Sequence, residues 1–150
     1  MAHTFSDLVT HIIFGTKDRF PLIDTGLRKE LHAYLGGIVK NIGGMPLTIG
    51  GVADHVHMLV ELKPKIPLAG AVAKIKANSS NWVHSFGGMR RKFFWQKGYS
   101  AFSVSRSNVE RVRRYIEKQE QHHRRVTFSE EYVRFLEQHG IEYDERYLFE

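Results

Sequence analysis

Apolar and polar positions alternate most regularly between Gly50 and Leu62. Strand side chains point to alternate faces, so His55, His57, Leu59 and Glu61 share one side. Val56, Met58, Val60 and Leu62 share the other, which is wholly apolar and predicts a strand with one face in a core. Residues 5–17 and 45–53 read as two further strands, the second joined to 55–62 by a tight turn near Asp54. Between them Leu27, Leu31, Leu35, Ile38 and Ile42 recur at helical spacing, after a cap at Asp24 or Thr25 and before a stop at Gly43-Gly44. Pro64 and Pro67 punctuate the chain, and Leu68, Val72, Ile75, Trp82 and Phe86 then mark a second helix that ends at Gly87-Gly88. Phe93 to Trp95 and Ala101 to Ser105 are short strand candidates. Ser107 to His123 opens with a capping box, Ser107 with Glu110, and carries Val109, Val112 and Ile116 as an apolar stripe. A second capping box, Thr127-Phe128-Ser129-Glu130, starts a last helix that ends near Gly140.

The order is β-α-β-β-α-β, then two more helices. This predicts an α+β fold: a ferredoxin-like, split β-α-β antiparallel sheet with helices on one face, plus a C-terminal helix at 107–123 and one further helix. In such a sheet the third strand is internal, which makes the histidine strand central. No repeat, low-complexity run or long linker interrupts the chain, so residues 1–150 read as a single domain.

Composition narrows the function. Twenty-two Lys and Arg against sixteen Asp and Glu leave a net charge of +6. That favours a polyanionic partner, most simply nucleic acid, although a merely basic enzyme has the same balance. There is no cysteine, which removes disulfides and thiolate chemistry. Met1 to Asp7 carry no basic-then-apolar leader, and no apolar run reaches membrane-spanning length, so a cytoplasmic protein without a membrane partner is expected.

Two segments carry candidate chemistry. His55 and His57, side by side on one strand face, can chelate one divalent ion. The spacing alone is weak, because nine histidines in this length give about half a His-x-His pair by chance. In the 107–123 helix Tyr115 lies one turn before Gln119, beside the apolar stripe, with Arg111, Arg114 and Lys118 on the same side or flanking it. A packed tyrosine at the edge of a solvated face is the plain alternative. Lys74 and Lys76, with Asn78 and Ser79, punctuate the second helix, and Arg90-Arg91-Lys92 precede Phe93-Phe94-Trp95. Cations interleaved with aromatics suit single-stranded DNA. Core packing is the preferred reading of the three aromatics, and a solvated loop is an equal alternative for the basic run. His122 and His123 read as surface residues at a helix end rather than as further ligands.

Taken together and in this order, the two segments resemble the HUH-superfamily single-tyrosine transposases of bacterial insertion sequences. That family carries His-hydrophobe-His on a strand and Tyr-x-x-x-Gln on a following helix. Asp54 to Val60 is similar to its metal strand, and Phe94 to Tyr99 with Ala101 to Ser105 to the segment leading into its catalytic helix. Glu142 to Leu148 is similar to the tail of one branch. The resemblance implies that Tyr115 attacks phosphorus, forms a covalent phosphotyrosine and releases a 3′-hydroxyl. It implies a divalent metal, Mg²⁺ or Mn²⁺, held by His55, His57 and Gln119. Lys74, Lys76, Arg90, Arg91, Arg111, Arg114 and Lys118 are the expected DNA contacts, those near Tyr115 also favouring its phenolate. The implied partners are single-stranded DNA, with hairpin ends of a mobile element, and a second copy of the chain in a homodimer.

Rival readings lack parts. Two-histidine phosphoesterases need a second His-x-Ser/Thr element. Histidine-triad hydrolases need a third histidine where Leu59 stands. Cupins need an all-β chain. A non-catalytic nucleic-acid-binding module would explain the charge but not Tyr115 above Gln119, and lacks the aromatic-rich RNA-recognition strand. A domesticated, non-mobile relative with the same fold stays open.

Overall fold

The apolar side of the histidine strand is covered by two long helices, and the rest of the chain is arranged around that layer. In the computed structural model, which describes residues 3–150, the elements are β1 (Val9–Gly15), α1 (Thr25–Asn41), β2 (Met45–Val52), β3 (His55–Glu61), α2 (Leu68–His84) and β4 (Ser100–Val104). The chain continues through α3 (Val109–Glu117), α4 (Gln119–His122) and α5 (Phe128–Gln138). Met1 and Ala2, the start of the N-terminus read above as leader-free, lie outside the described residues.

The sheet order is β2-β3-β1-β4, and every neighbouring pair is antiparallel. This is the split β-α-β arrangement, with the histidine strand internal as the pattern predicts. Ile12, Phe14, Val56, Met58 and Val60 meet Leu31, Leu35 and Ile38 of α1 and Val72, Ile75 and Val83 of α2. Each such side chain stabilises the fold by about 1.5–3 kcal/mol when fully buried. Asp24 caps α1, its Oδ1 accepting from the Leu27 amide at 2.9 Å.

The C-terminal helices cover the opposite face. Val9 and Leu59 pack with Val109 and Ile116 of α3, while Ile13 and Phe102 pack with Phe128, Tyr132 and Leu136 of α5. β3 is therefore buried on both sides, and the two imidazoles are enclosed rather than presented to solvent. Gly50 makes the closest approach possible: a Cβ there would stand 2.5 Å from the Ile116 carbonyl oxygen.

Several boundaries depart from the pattern. The first strand begins at Val9 rather than Phe5, because its ladder with β3 starts at the Val9–Glu61 pair and Phe5 is 94% exposed. Phe93 to Trp95 form only a single bridge, Thr16 to Trp95, although Phe93 and Trp95 are core residues as preferred above. The Ser107–Glu110 capping box does not form. Arg106–Asn108 make a 3-10 turn, Asn108 occupies the cap without a side-chain bond, and Glu110 pairs with Arg113 instead. The 107–123 helix breaks at Lys118, which adopts φ −98°, ψ 17°, and so becomes α3 and α4. The Thr127 cap forms as expected, accepting from the Glu130 amide at 3.1 Å.

Candidate active site

β3 supplies His55 and His57, both fully buried, and the elements above them supply the rest. Tyr115 comes from the end of α3, Gln119 opens α4, His123 caps its end and Glu131 descends from α5. Phe128 stacks on His55 with ring centroids 4.0 Å apart, which seats the first turn of α5 against the strand. One ligand atom from each of His55, His57, His123 and Glu131 lies within 4.8 Å of all the others.

The hydrogen bonds show how these side chains are aimed. Glu131 Oε1 is 2.9 Å from His57 Nε2, 3.3 Å from His55 Nε2 and 3.2 Å from His123 Nε2. Gln119 Oε1 is 3.1 Å from His55 Nε2 and 2.8 Å from His123 Nε2, while its amide nitrogen donates to Glu131 Oε2 at 3.1 Å. Three imidazoles, an amide oxygen and a carboxylate thus converge on one point. On the far side of each ring, His55 Nδ1 meets Asp54 Oδ1 at 2.7 Å and His57 Nδ1 meets His11 Nε2 at 2.8 Å. His123 Nδ1 meets the Val126 carbonyl at 2.7 Å. Tyr115 donates its hydroxyl hydrogen to Glu131 Oε2 and lies 3.3 Å from His122 Nε2.

Electrostatics follow from this packing. Burial pushes the His57 imidazole down to about 4, against the pull of Glu131. Burial also opposes charge on His55, but the carboxylates of Asp54 and Glu131 overcome it and raise its affinity for a proton. Glu131 is buried, yet the imidazoles of His123, His55 and His57, when they carry a proton on the facing nitrogen, hold its carboxyl far below the usual range. Burial, then the Glu131 carboxylate, push the Tyr115 phenol well above its ordinary value. The expected phenolate is thus not favoured in this arrangement. Arg111, Arg114 and Lys118 are exposed, and a carboxylate is nearer to the hydroxyl than any of them.

The donor set fits a divalent ion. Asp54 and Val126 offer only acceptors, so His55 and His123 carry their hydrogen on Nδ1 and, when neutral, turn a lone pair inward. Those lone pairs face the oxygens of Gln119 and Glu131, and the donation of Gln119 Nε2 to Glu131 fixes the amide's orientation. A cluster of acceptors calls for a cation at its centre. Ligand atoms about 2.1 Å from one small divalent ion stand about 3 Å apart, close to the distances of the Glu131 and Gln119 oxygens from the imidazole nitrogens.

The fold therefore brings His55, His57, Tyr115 and Gln119 together. Arg111 and Arg114 are exposed on α3, and Lys118 lines a cleft of about 700 Å³ with Tyr115, His122, Arg124, Arg125 and Arg134. Lys74, Lys76, Arg90 and Arg91 belong to α2 and the turn after it, across the sheet. Lys76 is not free to meet a phosphate: it donates to the carbonyls of Gln96, Lys97 and Gly98, and burial lowers its ammonium to about 8. Arg90 already pairs with Asp24 at 2.7 Å.

Two participants escaped the sequence reading. His123 lies inside the cluster, not on the surface, because the break at Lys118 turns α4 toward the sheet. Glu131 had a legible signal: it occupies an apolar-stripe position of α5 among Phe128, Tyr132 and Leu136, where a carboxylate needs a buried partner.

Comparison with known proteins identifies the family. The chain matches the IS200-like transposase family over residues 4–119. It is 28% identical over 124 residues to the transposase for insertion sequence element IS200 of Salmonella typhimurium, covering 79% of this chain and 81% of that one. The IS200 transposase of Salmonella typhi matches equally. Among solved structures, a Deinococcus radiodurans protein assigned as a transposase superposes with a TM-score of 0.64 at 22% identity, covering 79% of this chain and 95% of that one. A REP-associated tyrosine transposase bound to a REP hairpin superposes with a TM-score of 0.54 at 12% identity, covering 79% and 68%. A match that begins before β1, takes in both strand histidines and Tyr115, and ends on Gln119 makes this chain a member of the IS200-like transposase family.

Proposed function

We propose that this transposase cuts and rejoins single-stranded DNA through a covalent 5′-phosphotyrosine on Tyr115, with a divalent ion, Mg²⁺ or Mn²⁺, at His55, His57 and Gln119. The observation that carries the reading is the Tyr115 hydroxyl, which is hydrogen-bonded to a carboxylate that itself touches both strand histidines.

In the cleavage step the Tyr115 oxygen bonds to the scissile phosphorus, the bond from phosphorus to the 3′-oxygen breaks, and the 3′-oxygen leaves, taking a proton from water to become a 3′-hydroxyl. The phenolic hydrogen already points at Glu131, the acceptor beside it. Rejoining is the reverse: a 3′-hydroxyl attacks the phosphotyrosine and frees the phenol, so the ester conserves the bond energy. A divalent ion supplies Lewis-acid stabilisation of charge on the phosphate oxygens. Lys118, Arg124, Arg125 and Arg134 line the cleft beside Tyr115 and would hold flanking phosphates, with exposed Arg111 and Arg114 extending that surface. Exposed Lys74 and Arg91 form a more distant basic surface. The REP hairpin bound by the structural neighbour supports a hairpin end as substrate.

The test is an adduct assay with single-stranded oligonucleotides from the flanking genomic DNA. Tyr115→Phe should still bind the strand and should form no protein–DNA adduct on a denaturing gel. Adduct persisting in that variant would overturn the assignment.

A further inference from the structure

The family match ends at Gln119, yet two of the five residues that converge on the centre, His123 and Glu131, lie beyond it. Resting on the metal reading above, we propose that His123 and Glu131 are ligands of the same ion as His55 and His57. The C-terminal segment then completes the metal centre instead of merely covering it.

Three observations carry this. First, His123 is prepared like a ligand. Its Nδ1 is committed to the Val126 carbonyl, as His55 Nδ1 is to Asp54, and such anchoring fixes ring and tautomer in metal sites. Second, its Nε2 faces only oxygens, those of Gln119 and Glu131. Third, Glu131 is 1% exposed and sends Oε1 to all three imidazoles. A buried carboxylate at the meeting point of inward lone pairs is the negative ligand that three neutral imidazoles lack.

Two consequences follow. His55, His57, His123, Gln119 and Glu131 would offer five donor atoms to a divalent ion, more than the two histidines and amide of the family motif supply. In addition, Glu131 divides its oxygens, Oε1 toward the centre and Oε2 toward the Tyr115 hydroxyl, so a single side chain sets the nucleophile's position relative to the ion.

The experiment is Mn²⁺ titration of the full chain by calorimetry, comparing wild type, His57→Ala, Glu131→Gln and His123→Ala, with melting curves recorded with and without Mn²⁺. Glu131→Gln and His123→Ala should each weaken Mn²⁺ binding at least tenfold, and the stabilisation by Mn²⁺ seen in wild type should shrink in both. Wild-type affinity in both, beside a loss in His57→Ala, would overturn the proposal and leave the metal reading intact. A wild type that takes up no Mn²⁺ would overturn both. If a variant melts too low to titrate, the wild type decides alone. In protein loaded with Zn²⁺ as a diamagnetic stand-in, the ¹⁵N resonance of His123 Nε2 should move to a metal-bound shift. An unmoved His123 beside a shifted His57 would refute its ligation.

Discussion

His32 stands on α1 with a buried Nε2 that has no hydrogen-bond partner, one turn from Arg28, whose Nε is in the same condition. Burial, with the Arg28 charge adding to it, lowers this imidazole to about 4. An unfolded histidine titrates near 6.5. Between those two values the unfolded chain binds a proton that the folded chain refuses, so stability is present above the window and is lost as pH falls through it. The expected loss is about 2 kcal/mol by pH 5. Urea midpoints at pH 7 and pH 5 should separate by less in His32→Leu than in wild type. Equal separations would show that His32 does not contribute. The histidines of the candidate site differ from His32 in kind, because each of their Nε2 atoms faces a carboxylate or amide oxygen.

At the scale of elements, the position of Tyr115 depends on how closely α3 approaches β2. Gly50 permits that approach, since any Cβ would meet both the backbone and the side chain of Ile116, the residue next to Tyr115. Gly50→Ala should therefore lift α3, costing about 1–3 kcal/mol of stability. It should also lower the rate of adduct formation more than it lowers DNA affinity, because the hydroxyl must stand at one point whereas the exposed cations on the same helix reach phosphates through long, flexible side chains. Cleavage by Gly50→Ala at the wild-type rate would mean that α3 does not need this seat. The break at Lys118 matters for the same reason: an unbroken helix would carry Gln119 and His123 onward along α3, and the bend brings both over the strand.

For the whole molecule, if two copies pair as the family resemblance implies, α3 can serve its own sheet or that of its partner. In the single chain α3 packs on its own sheet through Val109 and Ile116. The segment before it, Ser105 to Asn108, is polar and exposed, and makes only local side-chain bonds apart from those of Arg106 to Asp7 and Glu61. An exchange of α3 between two copies would reuse the same Gly50–Ile116 contact. Mixed dimers of His55→Ala with Tyr115→Phe decide the matter. If the site forms within one subunit, both sites of the heterodimer carry one lesion and nothing is cut. If the helices are exchanged, one site collects both lesions and the other is intact, so about half of wild-type activity should return when the sites act independently. Heterodimers confirmed to have formed but inactive would rule out exchange.

What the sequence determined by itself was everything that local periodicity encodes. The order of strands and helices, the internal place of the histidine strand and its apolar face all follow from spacings of two or of three to four residues. The structure has each of them. The failures are those of a local signal that loses to a tertiary one. The Ser107 cap gives way to a 3-10 turn, and Lys118 bends where no glycine or proline marks a break. Only the tertiary structure decided that α3 to α5 fold over the second face of the sheet, that His123 joins His55, and that Glu131 enters from 74 residues beyond His57. No periodicity links residues so far apart. What joins them is that a buried carboxylate and inward lone pairs satisfy one another only when brought to the same point.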